Sequence, residues 1–240
     1  MKIEGLDEKY TNSDLYIVAF FDVLGVKNKL KKDFSGTLGD LWMINHHLVK
    51  EKAKNDNLIV RTFSDNFLIA LKTSEERLAE DFSTVGNIVG FLYNLCLRMY
   101  NILLRGAIAV GDMHIDENIV LGEALIKAYK MESEIAIYPR IVIDQDIIKI
   151  KSSNKTSFSF TNGLFQDTDL QWCLNVLKFC NELMEKSCKS TLVSNITAQF
   201  MDAKNSKDAR VASKINWLIN YVNTYYYQNY NEILIDFDKE

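Results

Sequence analysis

The sequence predicts an α+β protein: a ferredoxin-like, palm-type antiparallel-rich sheet with helices on one face, followed by a helical appendage. Three observations carry this. Leu15–Asp22 is a short, nearly continuous apolar run, which suits a strand buried on both faces. Leu58–Phe63 and Phe67–Leu71 flank a polar Ser64-Asp65-Asn66 turn and read as a hairpin. The order of elements through Ile143 is β-α-β-β-α-β, followed by another short β-α-β, which is the palm arrangement.

The remaining elements follow in order. A helix is expected over Thr37–Lys54, with Leu38, Leu41, Ile44, His47 and Leu48 on one stripe. Glu75–Asn101 reads as a long helix opened by Ser74 as N-cap. Leu103–Val110 is a strand ending in Gly111-Asp112, and Ile119–Leu121 is a short strand. Gly122 opens a helix through about Ile135, and Ile141–Ile143 is again a strand. Residues 165–227 read as mainly helical, with a closing strand at Ile233–Phe237. The expected division is a sheet domain over 1–150 and a mainly helical extension over 151–240 packed on it.

Composition narrows the class. With 48% hydrophobic and 25% charged residues in 240, a largely disordered chain is excluded. A chain of 27.6 kDa is expected to bury roughly 70% of its unfolded surface. No apolar run approaches the ~18 residues of a spanning helix, and Met1–Glu8 is charged, without the apolar centre of a signal peptide. Lys and Arg number 28 against 32 Asp and Glu, so there is no electrostatic footprint for nucleic acid. Cys96, Cys173, Cys180 and Cys188 lack metal-like spacing and read as reduced thiols of a cytoplasmic protein. His46 and His47 share a helix with no second ligand pair, so packing or surface is expected of them.

Asp22 and Asp65 stand out by position. The first ends a buried strand and the second sits at a hairpin tip, and in a ferredoxin-like sheet those places are neighbours. Singly, each is an ordinary turn residue. Together, two nearby carboxylates raise each other's pKa unless a cation lies between them. Such a pair suits Mg²⁺ or Mn²⁺ when nucleotide phosphates supply the other ligands. Two ions of this kind can activate a 3′-hydroxyl and steady a leaving diphosphate. The backbone of Val23, Leu24 and Gly25 turns toward a helix, where its N–H groups can cradle phosphate oxygens.

These segments resemble class III nucleotidyl cyclases. FFDVLG at 20–25 resembles their first metal segment and TFSDN at 62–66 their second metal hairpin. LRGAIAVGD at 104–112 is similar to the strand that follows, and IVLGEALIKAYKME at 119–132 to their G-x-x-V-N-x-A-A-R helix. With ALIKAYKMESEIAIYPRIVID at 124–144, the whole is most similar to the Pycsar pyrimidine cyclases, bacterial anti-phage enzymes that make cyclic UMP or cyclic CMP. The resemblance covers about 15–144.

The resemblance implies two divalent ions, Mg²⁺ or Mn²⁺, with Asp22, Val23 and Asp65 as the metal set. It implies a homodimer with composite sites, and an effector that responds to the product without touching this chain. Neither nucleic acid nor membrane is an expected partner. Departures from the family pattern bear on the base. Arg61 holds the place of the adenine-reading lysine, and Ile119 that of its aspartate. Ile126 replaces the ribose-orienting asparagine. Lys130 falls on the transition-state arginine, where it reads equally as a catalytic cation or a solvated helix position, and a one-residue shift places Tyr129 there. Arg105 reads as a structural partner across the sheet, and the role of Arg140 stays open. The expected substrate is UTP or CTP. A diguanylate cyclase fits less well, because the hairpin lacks the G-G-D/E-E-F pattern. A catalytically inactive nucleotide-binding or dimerising module is opposed by retention of both aspartates.

Overall fold

The computed structural model describes residues 13–153, 163–179, 182–206 and 208–236. In chain order the strands are β1 (Asp14–Val23), β2 (Leu58–Phe63), β3 (Asn66–Lys72), β4 (Leu104–Ile115), β5 (Val120–Gly122), β6 (Ile141–Ile143), β7 (Leu164–Gln166) and β8 (Trp172–Leu174). The helices are α1 (Val26–Lys32), α2 (Phe34–Lys54), α3 (Leu78–Met99), α4 (Glu123–Glu134), α5 (Gln145–Ser153), α6 (Glu182–Ser206) and α7 (Ala209–Tyr230). They build one eight-stranded sheet in the order β2-β3-β1-β4-β6-β8-β7, with β5 added to β4. Among the described residues only β4 and β6 pair in parallel, and α4 lies in the connection between them.

β1 is central because both of its faces are apolar. Ile17, Ala19 and Phe21 join a large core with α2, α3, α6 and α7. Tyr16 and Val18 point the other way and pack on Ala124 and Ala128 of α4. The sheet therefore carries helices on both faces, not on one as expected. A strand with two apolar faces needs two covers, and the small alanines of α4 supply the second.

Three further expectations are corrected. The second helix begins at Phe34, where Asp33 Oδ1 accepts from Gly36 N–H at 2.9 Å, earlier than Thr37. α3 begins at Leu78 without a side-chain cap, and Ser74 lies in the preceding turn, its carbonyl accepting from Arg77 N–H. Residues 232–236 form no strand, and Phe237 lies outside the described residues. There Asn223 Oδ1 accepts from the N–H groups of Leu234 and Ile235, and its Nδ2 donates to Ile235 O. One side-chain amide meets backbone groups that a neighbouring strand would otherwise satisfy.

Beyond residue 150 the chain is not helical throughout. The β7–β8 hairpin extends the sheet by pairing Cys173 with Val142 of β6. α6 then seals the end of α3, with Asn195 Nδ2 donating to Leu97 O and Arg98 O. Cys96, Cys173 and Cys188 are buried, and burial pushes the Cys173 thiol up to about 12. Cys180 lies outside the described residues. His46 stacks on Trp42 at 4.8 Å, the packing role expected of it.

Candidate active site

Asp22 is the penultimate residue of β1, with Asn66 of β3 opposite on one side and Arg105 of β4 on the other. As an even-numbered residue of β1 it faces α4. Arg105 Nε donates to Asp22 Oδ1 at 3.0 Å and Nη2 donates to Oδ2 at 3.1 Å. This is the bidentate fork that a guanidinium makes best. Directly after it, Gly106 backs onto β1 so closely that a Cβ there would stand 2.4 Å from Phe20 O, so only glycine fits beneath the clasp. The cation beside Asp22 is therefore Arg105, in its expected cross-sheet place.

Glu132 of α4 joins this pair. Its Oε1 lies 2.7 Å from Arg105 Nη2 as an ion pair, in a geometry that makes no hydrogen bond. Burial, then the Asp22 charge, pushes the Glu132 carboxyl up to about 7, against the pull of Arg105. Burial also raises Asp22, opposed by Arg105 and reinforced by the charge of Asp65. Burial works against the Arg105 charge, but Asp22 and Glu132 outweigh it and hold its pKa up. Asp65 sits in the two-residue turn between β2 and β3, after Ser64 at φ 57°, whose Oγ donates to Asp65 Oδ1 at 3.0 Å. Two carboxylates, Asp22 and Glu132, thus contact a single guanidinium, and the charge of Asp65 acts on the group from the adjacent turn. Sequence reading placed Asp22 and Asp65 together but missed Glu132, whose signal is an acidic residue at a buried turn of α4.

The rest of the expected set divides. Val23 pairs with Leu104, and Leu24 N–H donates to Leu103 O at 2.8 Å, so that N–H is not offered to a phosphate. Gly25 takes φ 81° at the start of α1, with open space at its Cβ position. Arg61 stands apart from the carboxylates. Its Nη2 donates to Asp116 O at 3.1 Å and its Nη1 to Val60 O at 3.2 Å. Asp116 Oδ1 also accepts from Ile119 N–H at 2.8 Å, so Arg61 and Ile119 meet around one residue. Ile126, Tyr129 and Lys130 occupy the exposed face of α4, while Glu132, two residues on, points inward. Within one chain Lys130 does not face Asp22.

Arg140 has a structural role. Its guanidinium is buried and paired with Asp167 and Asp169, with Nη2 also donating to Ile135 O at 3.0 Å. The C-terminal helix adds a residue that no motif marked: Lys214 of α7, whose charge acts on both Asp22 and Arg105. Among the described residues, no three His, Cys, Asp or Glu side chains form a metal site by themselves. A metal bound here would need oxygens from a substrate to complete its shell.

The fold is that of a guanylyl cyclase domain. The guanylyl cyclase domain of the RhoGC fusion protein from the aquatic fungus Blastocladiella emersonii superposes with a TM-score of 0.50 at 14% identity, over 68% of this chain and 95% of that one. The adenylyl cyclase CyaB from P. aeruginosa matches at a TM-score of 0.45 and 12% identity, covering 68% of this chain and 94% of that one. The guanylyl cyclase Cya2 matches at 0.45 and 11%, covering 68% and 93%. No family model matches the sequence, and no curated protein matches it. Among the described residues no helix is long and apolar enough to cross a membrane.

Proposed function

We propose that this protein is a metal-dependent pyrimidine nucleotide cyclase, converting UTP or CTP to the 3′,5′-cyclic monophosphate and diphosphate. One observation carries it: on a cyclase fold, Asp22 and Glu132 share the one guanidinium of Arg105 while Asp65 adds its charge from the adjacent turn, leaving carboxylate charge under-compensated. Burial raises the pKa of both Asp22 and Glu132, and the charge of the neighbouring carboxylates adds to it. A divalent cation relieves it, so the donor set fits Mg²⁺ or Mn²⁺ held by Asp22, Asp65 and the backbone of Val23. Such ions, when bound, lower the pKa of a hydroxyl and neutralise phosphate charge.

The residues of the chain then take definite roles. The 3′-oxygen of the ribose attacks the α-phosphorus in line as its proton passes to solvent, and the bond from the α-phosphorus to the bridging oxygen breaks to release diphosphate. Arg105 supplies fixed positive charge beside Asp22. Arg61 offers donors to a base whose edge presents acceptors, which favours uracil O4 and then cytosine over adenine. Lys130 serves as a point charge from the outward face of α4. Because Arg61 and Lys130 lie away from Asp22 within one chain, the site is composite. One protomer brings the carboxylates, and its partner brings Arg61 and Lys130. Exposed Phe63, Leu121, Ile126 and Tyr129 supply apolar surface for such a homodimer.

On this reading 1–150 is catalytic and 151–240 an extension upon it. The enzyme works in the cytoplasm as a second-messenger synthase in anti-phage defence, through an effector that reads the product. Incubation with each nucleoside triphosphate and Mn²⁺, followed by mass analysis, tests it. Cyclic UMP or cyclic CMP is expected. Cyclic AMP or GMP as main product overturns the pyrimidine assignment, and no product from any of the four favours an inactive nucleotide-binding module.

A further inference from the structure

Independently of the chemistry at Asp22, we infer that α1 and α2 form a docking face for an anionic membrane surface. The inward side of α2 is set by Thr37, Ile44 and Leu48, which are buried. Phe34, Leu38, Trp42 and Val49 recur at spacings of four and seven and so share the outward side. They remain 65, 55, 62 and 51% exposed. The stripe runs about 22 Å along the helix. His46 stacks its ring on Trp42 at 4.8 Å, which holds the indole in place. Leu30 of α1 is exposed as well. Large apolar side chains lined up in this way mark an interaction surface, unlike apolar residues scattered singly.

Charge selects the occupant. Within 26–54 seven lysines stand against Asp33, Asp40 and Glu51, a net charge of +4 in a chain of −4 overall. The three acids are already engaged. Asp40 pairs with Lys29, Glu51 with Lys54, and Asp33 Oδ1 accepts from Gly36 N–H. Lys27, Lys31, Lys32, Lys50 and Lys52 are exposed and make no ion pair among the described residues. Lys31 and Lys32 stand at the start of the apolar stripe, and Lys50 and Lys52 at its end. Apolar side chains flanked by flexible ammonium groups match a bilayer interface. The apolar tips enter the acyl boundary while the lysine stems reach anionic headgroups. A protein partner fits less well, because lysine is depleted at protein interfaces. A second copy meets a specific obstacle: with lysines at both ends of the stripe, parallel or antiparallel pairing sets ammonium groups against one another. Nucleic acid wants stacking rings along the stripe, where Leu38 and Val49 offer none. The net charge of the whole chain, which spoke against a membrane, averages this face away, and peripheral binding needs no spanning helix.

The test is cosedimentation of the full-length protein with two kinds of vesicle, phosphatidylcholine alone and phosphatidylcholine with phosphatidylserine in equal parts, at low and high salt. The wild type should bind the phosphatidylserine vesicles about tenfold or more tightly than the others, and added salt should weaken that binding by screening exposed charges. The double variant Leu38→Ser, Trp42→Ser should bind about tenfold or more weakly, because two apolar side chains no longer enter the acyl boundary. The double variant Lys50→Gln, Lys52→Gln should lose about fivefold per lysine. Both replace solvated side chains, so their melting temperatures should match the wild type. If the first variant melts lower, the lysine variant decides. No vesicle binding by the wild type, equal binding to both vesicles, or binding indifferent to either pair of substitutions overturns the proposal. So does a dimer, or retention of single-stranded RNA, that these substitutions abolish while vesicles stay unbound, since the face then belongs to a second copy or to nucleic acid.

Discussion

Arg105 grips both carboxylate oxygens of Asp22 from the adjacent strand, Nε at 3.0 Å and Nη2 at 3.1 Å. The two aspartates of the site are therefore unequal: Asp22 has a built-in counter-ion, while Asp65 adds unrelieved negative charge nearby.

This inequality predicts different effects of two substitutions. Asp22→Ala and Asp65→Ala should each lower turnover on the order of a thousandfold, as expected when a transition-state contact is removed. Asp22→Ala should also destabilise the metal-free protein by about 1–3 kcal/mol, because a largely buried guanidinium loses its acceptors. Asp65→Ala should leave the metal-free melting temperature unchanged or higher. Full activity in either variant contradicts the assignment, and a lower melting temperature for Asp65→Ala contradicts the electrostatics.

Glu132 makes stability depend on pH. Its folded pKa, about 7, lies above the ordinary 4.5, so the folded state holds the proton more tightly. The resulting stabilisation is complete below the unfolded value and is lost as pH rises through the folded one. Between about pH 5 and pH 8 the metal-free wild type should lose on the order of 1–3 kcal/mol relative to Glu132→Gln, which cannot ionise. Thermal melts of both proteins across that range check this. Parallel curves would show that Glu132 is ionised throughout.

Assembly is tested by complementation. Asp65→Ala and Arg61→Ala proteins, each impaired alone, should regain part of the activity when mixed, since one hybrid site retains both halves. A monomer fully active at nanomolar dilution contradicts a composite site.

Base choice rests on Arg61, whose guanidinium is oriented by Asp116 O. Arg61→Ala should cut turnover with the preferred pyrimidine about 10–100-fold and flatten selection among the four nucleotides. An unchanged order of preference, measured by competition among equal nucleotide concentrations, removes Arg61 from base recognition.

Much of this was legible in local sequence. The apolar run of β1, the Ser-Asp turn between β2 and β3, and the long amphipathic pattern of α3 are signals within a few residues of one another. They determine which segments become strands and helices, and they place Asp22 and Asp65 at a strand end and an adjacent turn. β7 and β8 were missed because three residues are too few to display a period, and Cys173 becomes a strand residue only beside Val142. The closing strand failed because Asn223 supplies the hydrogen bonds that the pattern assigned to a sheet. That α4 covers a second face was missed, although both sides of β1 are apolar, because the sequence does not say which helix covers which side.

The sequence by itself determined the order of elements through β6 and the two carboxylates that open the site. Only the tertiary structure decided what surrounds them. Register sets Arg105 opposite Asp22, and the inward turn of α4 brings Glu132 to the same guanidinium. The physical reason is that ionisable groups act through space, over a few ångströms, whereas sequence patterns record only neighbours along the chain.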